Sequence, residues 1–144
     1  MSTVANAYLE AQVLTAAPER LHLLVTDAAI RFARHAAAAI ERQDFESAFN
    51  ALNRSRDCVN EILTGISSEP NPELADRLRG LFVFVQQNLA RADLERDSQL
   101  IRDALSILQS HRQTWLDLID RLQESHPDRS TSEAFGVSER SWTT

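Results

Sequence analysis

Apolar residues recur at intervals of three and four along four long stretches of this chain, and each stretch is bounded by residues that start or stop helices. The first begins at Pro18, where the missing proline N–H has no intrahelical partner to lose, and Glu19 complements the helix dipole. Its stripe is Leu21, Leu24, Val25, Ala28, Phe32, Ala36, Ala39 and Ile40, which predicts a helix ending near Arg42 or Gln43. Asp44 then reads as the cap of a second helix with the stripe Phe45, Ala48, Phe49, Leu52, Val59, Ile62 and Leu63. That helix stops near Thr64-Gly65, where glycine is expected in the left-handed conformation.

The polar run 67–72 predicts a loop, with Asn71 capping a third helix and Pro72 and Glu73 in its first turn. Its stripe is Leu74, Leu78, Leu81, Phe82, Val85 and Leu89; Phe84 falls off it, on a second buried face or on an exposed contact. Residues 93–98 form a short turn against which Leu94 can pack. A fourth helix runs from about Ser98 to Glu124 on Ile101, Ala104, Leu105, Leu108, Trp115, Leu118, Ile119 and Leu122. Short connections make neighbouring helices antiparallel, so the expected fold is all-α, an up-down-up-down four-helix bundle over residues 18–124. Residues 1–17, with Tyr8, Val13 and Leu14 on one side, are too short to be stable alone and are expected to act as a cap. Residues 125–144 are rich in Ser, Thr and charge, and read as a disordered tail whose large apolar groups are Phe135 and Trp142.

Composition narrows the possibilities. With 144 residues, 43% of them hydrophobic, the chain suits one domain with a real core. Only 3 Gly and 4 Pro interrupt it, which supports helix throughout. A net charge of −6 argues against nucleic acid, whose phosphates require a positive footprint. All 15 basic residues are Arg. No apolar run approaches the ~20 residues of a membrane span, and no secretory signal pattern opens the chain, so a cytoplasmic protein is expected.

Candidate chemistry is sparse. The single cysteine, Cys58, excludes an internal disulfide and lies at helical spacing between Leu52 and Ile62, as a core or boundary residue does. One Glu-x-x-His pair occurs, Glu19 with His22; a bundle di-iron site needs two such pairs and two further carboxylates, so neither metal nor cofactor is implied. His111 interrupts an otherwise apolar stripe and reads as a core histidine. Arg31, Arg34, Arg77 and Arg79 read as solvated helix-face residues without a function. No Gly-rich phosphate loop and no nucleophile–base string is present, so no enzyme is expected.

The string Gln12-Val13-Leu14-Thr15-Ala16-Ala17-Pro18-Glu19 resembles the Gln-Val-x-Thr-Ala-Ser-Pro-Glu signature of the FliS family of flagellin export chaperones. Leu23-Leu24-Val25-Thr26-Asp27-Ala28-Ala29-Ile30-Arg31-Phe32 is similar to the family's Leu-Tyr-Asp-Gly-Ala block. Leu78 to Phe84, Leu89-Ala90-Arg91-Ala92 and the Arg112-x-Thr114-Trp115 group resemble later family patterns. Thr26 and Ala28 depart from the usual Tyr and Gly, Ala17 replaces a Ser or Thr cap, and Phe82 and Phe84 stand where tyrosines are common.

The resemblance implies binding rather than catalysis. It implies a chaperone that holds the disordered C-terminal segment of flagellin, prevents premature polymerisation and delivers it to an export-gate component. Tyr8, Val13, Leu14, Leu78, Phe82 and Phe84 are then the expected binding and cap residues, and homodimerisation is an open possibility. A generic helical adaptor with another partner, and a bundle enzyme or metal protein, are the alternatives on sequence alone.

Overall fold

A computed structural model describes residues 18–69 and 71–125, which form four helices: α1 (Pro18–Glu41), α2 (Phe45–Gly65), α3 (Pro72–Glu95) and α4 (Ser98–Ser125). They build the expected antiparallel four-helix bundle. The cap segment 1–17 and the tail beyond Ser125 lie outside the described residues. Two compact units are distinguished, one of Val25–Gln113 and one whose described residues are 18–24 and 114–125.

The core of the larger unit follows a 3.5-residue repeat. Steps of three and four connect Thr26, Ala29, Ala33, Ala36 and Ile40 on α1, then Ala48, Leu52, Ser55, Val59 and Ile62 on α2. The same steps connect Ala75, Leu78, Phe82, Val85, Leu89 and Ala92 on α3, and Ile101, Ala104, Leu108 and His111 on α4. This spacing keeps one seam of each helix facing its neighbours, as in coiled coils. On α1 the seam is displaced from the expected Leu24, Val25 and Phe32. Ala29, Ala33 and Ala36 are completely buried and Phe32 is half-buried at the rim, its ring beneath the Arg31 and Arg54 guanidiniums at 5.2 and 5.7 Å. Small side chains at a helix contact let the axes come close, so alanines that carry little periodicity signal form the tightest part of the core.

Polar bonds fix the helix order. Ser55, fully buried on α2, donates its hydroxyl to the Ala29 carbonyl of α1 at 2.8 Å. The Gln86 amide of α3 donates to the Arg56 carbonyl of α2 at 2.9 Å, and the Asn88 amide donates to the Leu100 carbonyl of α4 at 3.4 Å. Arg112 of α4 pairs with Asp27 of α1, and Arg102 with Glu41 at 2.7 Å. Each helix is thus bonded to the next around the ring.

Both tight turns use one device. The Asp44 N–H bonds to the Ala39 carbonyl at 2.8 Å and the Asp97 N–H to the Ala92 carbonyl at 3.3 Å, each closing over a left-handed residue, Gln43 (φ 61°) or Arg96 (φ 53°). Asp44 then caps α2 by accepting from the Ser47 N–H at 3.2 Å, a bond that, with Arg42 nearby, lowers its carboxyl pKa. Asn71 caps α3 through the Leu74 N–H at 3.2 Å. Gly65, expected to be left-handed, is not: the helix runs through it and Ile66 continues in extended backbone. Leu94, expected to pack, is 83% exposed because α3 continues to Glu95 and carries it outward. Arg79 is no idle solvated residue. Its guanidinium donates to the Ile66 carbonyl (3.3 Å), Ser68 Oγ (3.1 Å) and Asp76 (3.2 Å), tying the α2–α3 loop to α3.

A left-handed side chain costs about 1 kcal/mol and a needless helical glycine about the same. Gln43→Gly and Gly65→Ala, the latter with nothing within 4 Å of the added Cβ, are each expected to stabilise the fold by about 0.5–1 kcal/mol in denaturant titration. Loss of stability in either would show that the side chain present, or the helix end, does more than these contacts reveal.

Candidate functional site

The core seam of α3 is complete without Leu74, Leu81, Val83 or Phe84, which leaves those apolar side chains outside. Leu74 and Leu81, expected in the core, are 51% and 45% exposed, and Phe84 is 44% exposed. Residues seven apart lie on the same side of a helix, so Leu74, Leu81 and Asn88 form one row. Asn88 is bonded to Leu100 on α4, so this row is the flank of α3 that faces α4. Leu100 and Ile107, again seven apart, form the facing row, with Ile107 half-buried against the core. Phe84 is exposed beside this row, and Leu78 is half-buried against the core. The result is a set of exposed apolar side chains on the flank of α3 beside α4.

Phe82 does not belong to that open surface. It is 1% exposed, and its ring meets the His111 imidazole edge-on with centroids 4.9 Å apart. The reason is its place in the seam, three residues before Val85 and seven before Leu89. Tyr8, Val13 and Leu14 lie outside the described residues. The residues of these facing flanks that sequence reasoning did not single out as surface are Leu74, Leu81 and, on α4, Ile107. The available signal was that α3 holds more apolar residues than one seam can use.

A concavity of about 180 Å³ lies on the other flank of α3, lined by Ile40, Phe45, Ala48, Phe49, Ala92, Asp93 and Arg96. The Arg96 guanidinium sits 4.0 Å from the Phe45 ring centroid, and Phe49, expected in the core, is 48% exposed at its edge.

In the smaller unit, the Trp115 indole N–H donates to the Glu19 carbonyl at 2.8 Å, and His22 packs on the Trp115 ring with centroids 4.2 Å apart. The contact engages His22 through its ring and Glu19 through its main-chain carbonyl. Leu118 and Leu122, expected in the core, are about 40% exposed there. Among the described residues no group of three or more His, Cys, Asp or Glu is placed to hold a metal ion, and no helix is long and apolar enough to cross a membrane. Cys58 is half-buried against the core, and burial raises its thiol pKa.

Fold and surface together define a four-helix bundle that exposes apolar side chains on one flank of α3. The family model described as flagellar protein FliS matches residues 1–122, and the chain belongs to the FliS family. Relatives named flagellar secretion chaperone FliS occur in Bacillus subtilis, 25% identical over 127 residues that cover 88% of this chain and 92% of the relative. Others come from Campylobacter jejuni, 25% identical with coverage of 78% and 88%, and Salmonella typhimurium, 25% identical with coverage of 77% and 83%.

Burial lowers the pKa of His111 below its ordinary 6.5. The unfolded chain therefore takes up that proton more readily, and the contribution of His111 to stability is full above pH 6.5 and falls as the pH drops towards its folded value. Between pH 7 and 5, thermal melts of His111→Gln are expected to lose less stability than those of the native sequence. Parallel pH slopes would show that His111 is not the buried neutral group responsible.

Proposed function

We propose that this protein is a cytoplasmic flagellar export chaperone that holds the C-terminal segment of flagellin in the α3–α4 groove. The observation that carries the reading is the row Leu74–Leu81 with Phe84, exposed on the flank of α3 that faces α4. Membership of the FliS family and relatives named flagellar secretion chaperones support an export role, and the resemblance to flagellin export chaperones supports flagellin as the cargo. An amphipathic segment that is disordered when free can fold as a helix on such a groove, with apolar side chains at three- and four-residue spacing as anchors. The cost of ordering it keeps affinity moderate for the area buried, which suits a cargo that must be released at an export-gate component. Holding the segment also keeps flagellin from polymerising early.

Residues 1–17, with Tyr8, Val13 and Leu14, are proposed to cover part of the apolar surface until cargo arrives. In the free protein the remaining exposed apolar area also favours self-association.

Calorimetry with the C-terminal segment of the same organism's flagellin is expected to give one-to-one binding with a negative heat-capacity change. Absence of binding at tens of micromolar would favour a helical adaptor with another partner. Phe84→Ala is expected to weaken binding about tenfold with little change in melting temperature. Phe82→Ala is expected to destabilise the bundle itself by about 3–5 kcal/mol. If Phe84→Ala instead unfolds the protein, Phe84 is a structural residue and the groove has been misassigned.

A further inference from the structure

The smaller unit is built differently from the larger one. None of its described side chains, 18–24 on α1 and 114–124 on α4, is buried: burial begins at Thr26 on α1 and ends at Leu108 on α4. Leu21, Leu23 and Leu24 are half-buried, and Leu118 and Leu122 are exposed. Buried apolar area is what makes a segment resist local opening, so this end of the chain resists less than the core. Its helix start is also weakly secured. Ala17 precedes Pro18 and has no side-chain oxygen to accept from the unpaired N–H groups of the first turn.

Trp115 supplies what burial and capping do not. Its indole N–H donates to the Glu19 carbonyl at 2.8 Å, and its ring meets the His22 ring with centroids 4.2 Å apart and an interplanar angle of 49°. Glu19 and His22 are one turn apart at the start of α1. A single side chain of α4 therefore holds that turn at two points. A carbonyl oxygen has two lone pairs, so Glu19 accepts the indole bond without giving up its own helical one.

We propose that Trp115 is a clasp on which the smaller unit opens and closes while Val25–Gln113 stays folded, and that the clasp positions residues 1–17. One neutral hydrogen bond and one ring contact favour the closed form by only about ten- to a hundredfold. The opened form is then a minor state of the size that conformational switches use. With the clasp closed, residues 1–17 are rooted at a fixed turn. Chain geometry keeps Leu14 within about 14 Å of Pro18 and Tyr8 within about 35 Å. A fixed root and a short tether raise the effective concentration of these side chains on the surface within reach. Opening adds residues 18–24 to the tether and lowers that concentration, so cargo meets a weaker competitor. The effect on cargo rests on the cap reading proposed above, whereas the opening of the smaller unit does not.

Amide hydrogen exchange of the full chain, read by NMR, tests the clasp. His22, Leu23 and Leu24 carry the first amides of α1 with helical partners. They are expected to exchange together with the amides of 114–125, and faster than those of the α2 and α3 core seams. Trp115→Phe keeps a ring against His22 and removes the N–H donor. It should speed exchange at residues 22–24 by about five- to tenfold and leave the core seams unchanged, and His22→Ala should act in the same direction through the other contact. Calorimetry with the flagellin C-terminal segment reads the consequence. Trp115→Phe should tighten binding severalfold, whereas loss of a merely structural residue would leave it unchanged or weaken it. The gain should disappear in a Tyr8→Ala, Val13→Ala, Leu14→Ala background, which should itself bind more tightly than the native sequence.

Exchange at residues 22–24 as slow as in the core, or indifferent to Trp115→Phe, overturns the clasp. Faster exchange without tighter binding, when the triple alanine variant does bind more tightly, overturns the positioning role. If neither variant binds more tightly, or no cargo binds at all, the cap or cargo reading falls, and the clasp stands on the exchange result.

Discussion

The bundle depends on a seam that repeats every 3.5 residues on all four helices, and on α1 that seam is built largely of alanine. Ala29, Ala33 and Ala36 present almost no side chain. The larger groups of the other helices, Leu52, Phe82, Leu89 and Leu108, belong to the same buried core. A larger residue at any of these three alanines would have to push α1 away from its neighbours, since interiors at crystal-like density have little room to yield. The buried Ser55 hydroxyl depends on the same closeness, because it reaches the Ala29 carbonyl of α1 only if the two helices approach through small residues.

A narrow seam has a consequence for the surface. It consumes about two residues in seven, so a helix rich in leucine and phenylalanine has apolar side chains left over. On α3 the remainder falls on two different sides, Leu74, Leu81 and Phe84 towards α4, and Val83 and Leu94 outward. A protein that only needed to fold would have little reason to keep them exposed. One that binds a helix, and that must let go of it, has reason to carry a surface complementary to an amphipathic partner without locking that surface into its own core.

The polar bonds around the ring act differently from the seam. Gln86 with the Arg56 carbonyl, Asn88 with the Leu100 carbonyl, and Arg112 with Asp27 are single contacts between neighbours, the first and last of them open to water, and each adds little net stability. Their value is in choosing among helix arrangements that a purely apolar seam would accept almost equally well. The two left-handed turns at Gln43 and Arg96 add to that choice, because a short link closed in this way fixes how the chain reverses between α1 and α2 and between α3 and α4.

The sequence by itself determined the number of helices, their caps at Asp44 and Asn71, the antiparallel order and, through the Gln12–Glu19 signature, the family. These are legible because capping and helical period are local, and because a motif is a string. Only the tertiary structure decided which apolar residues are inside. Periodicity at three and four residues cannot distinguish neighbouring seams, so Leu74 and Leu81 read as core and Ala29 and Ala33 did not. Phe82 and Phe84, alike in sequence, separate only when the seam assigns one to the interior and the other to the surface. Burial is a property of what a side chain faces, and that is set by the other three helices rather than by the residue's own neighbours in the chain.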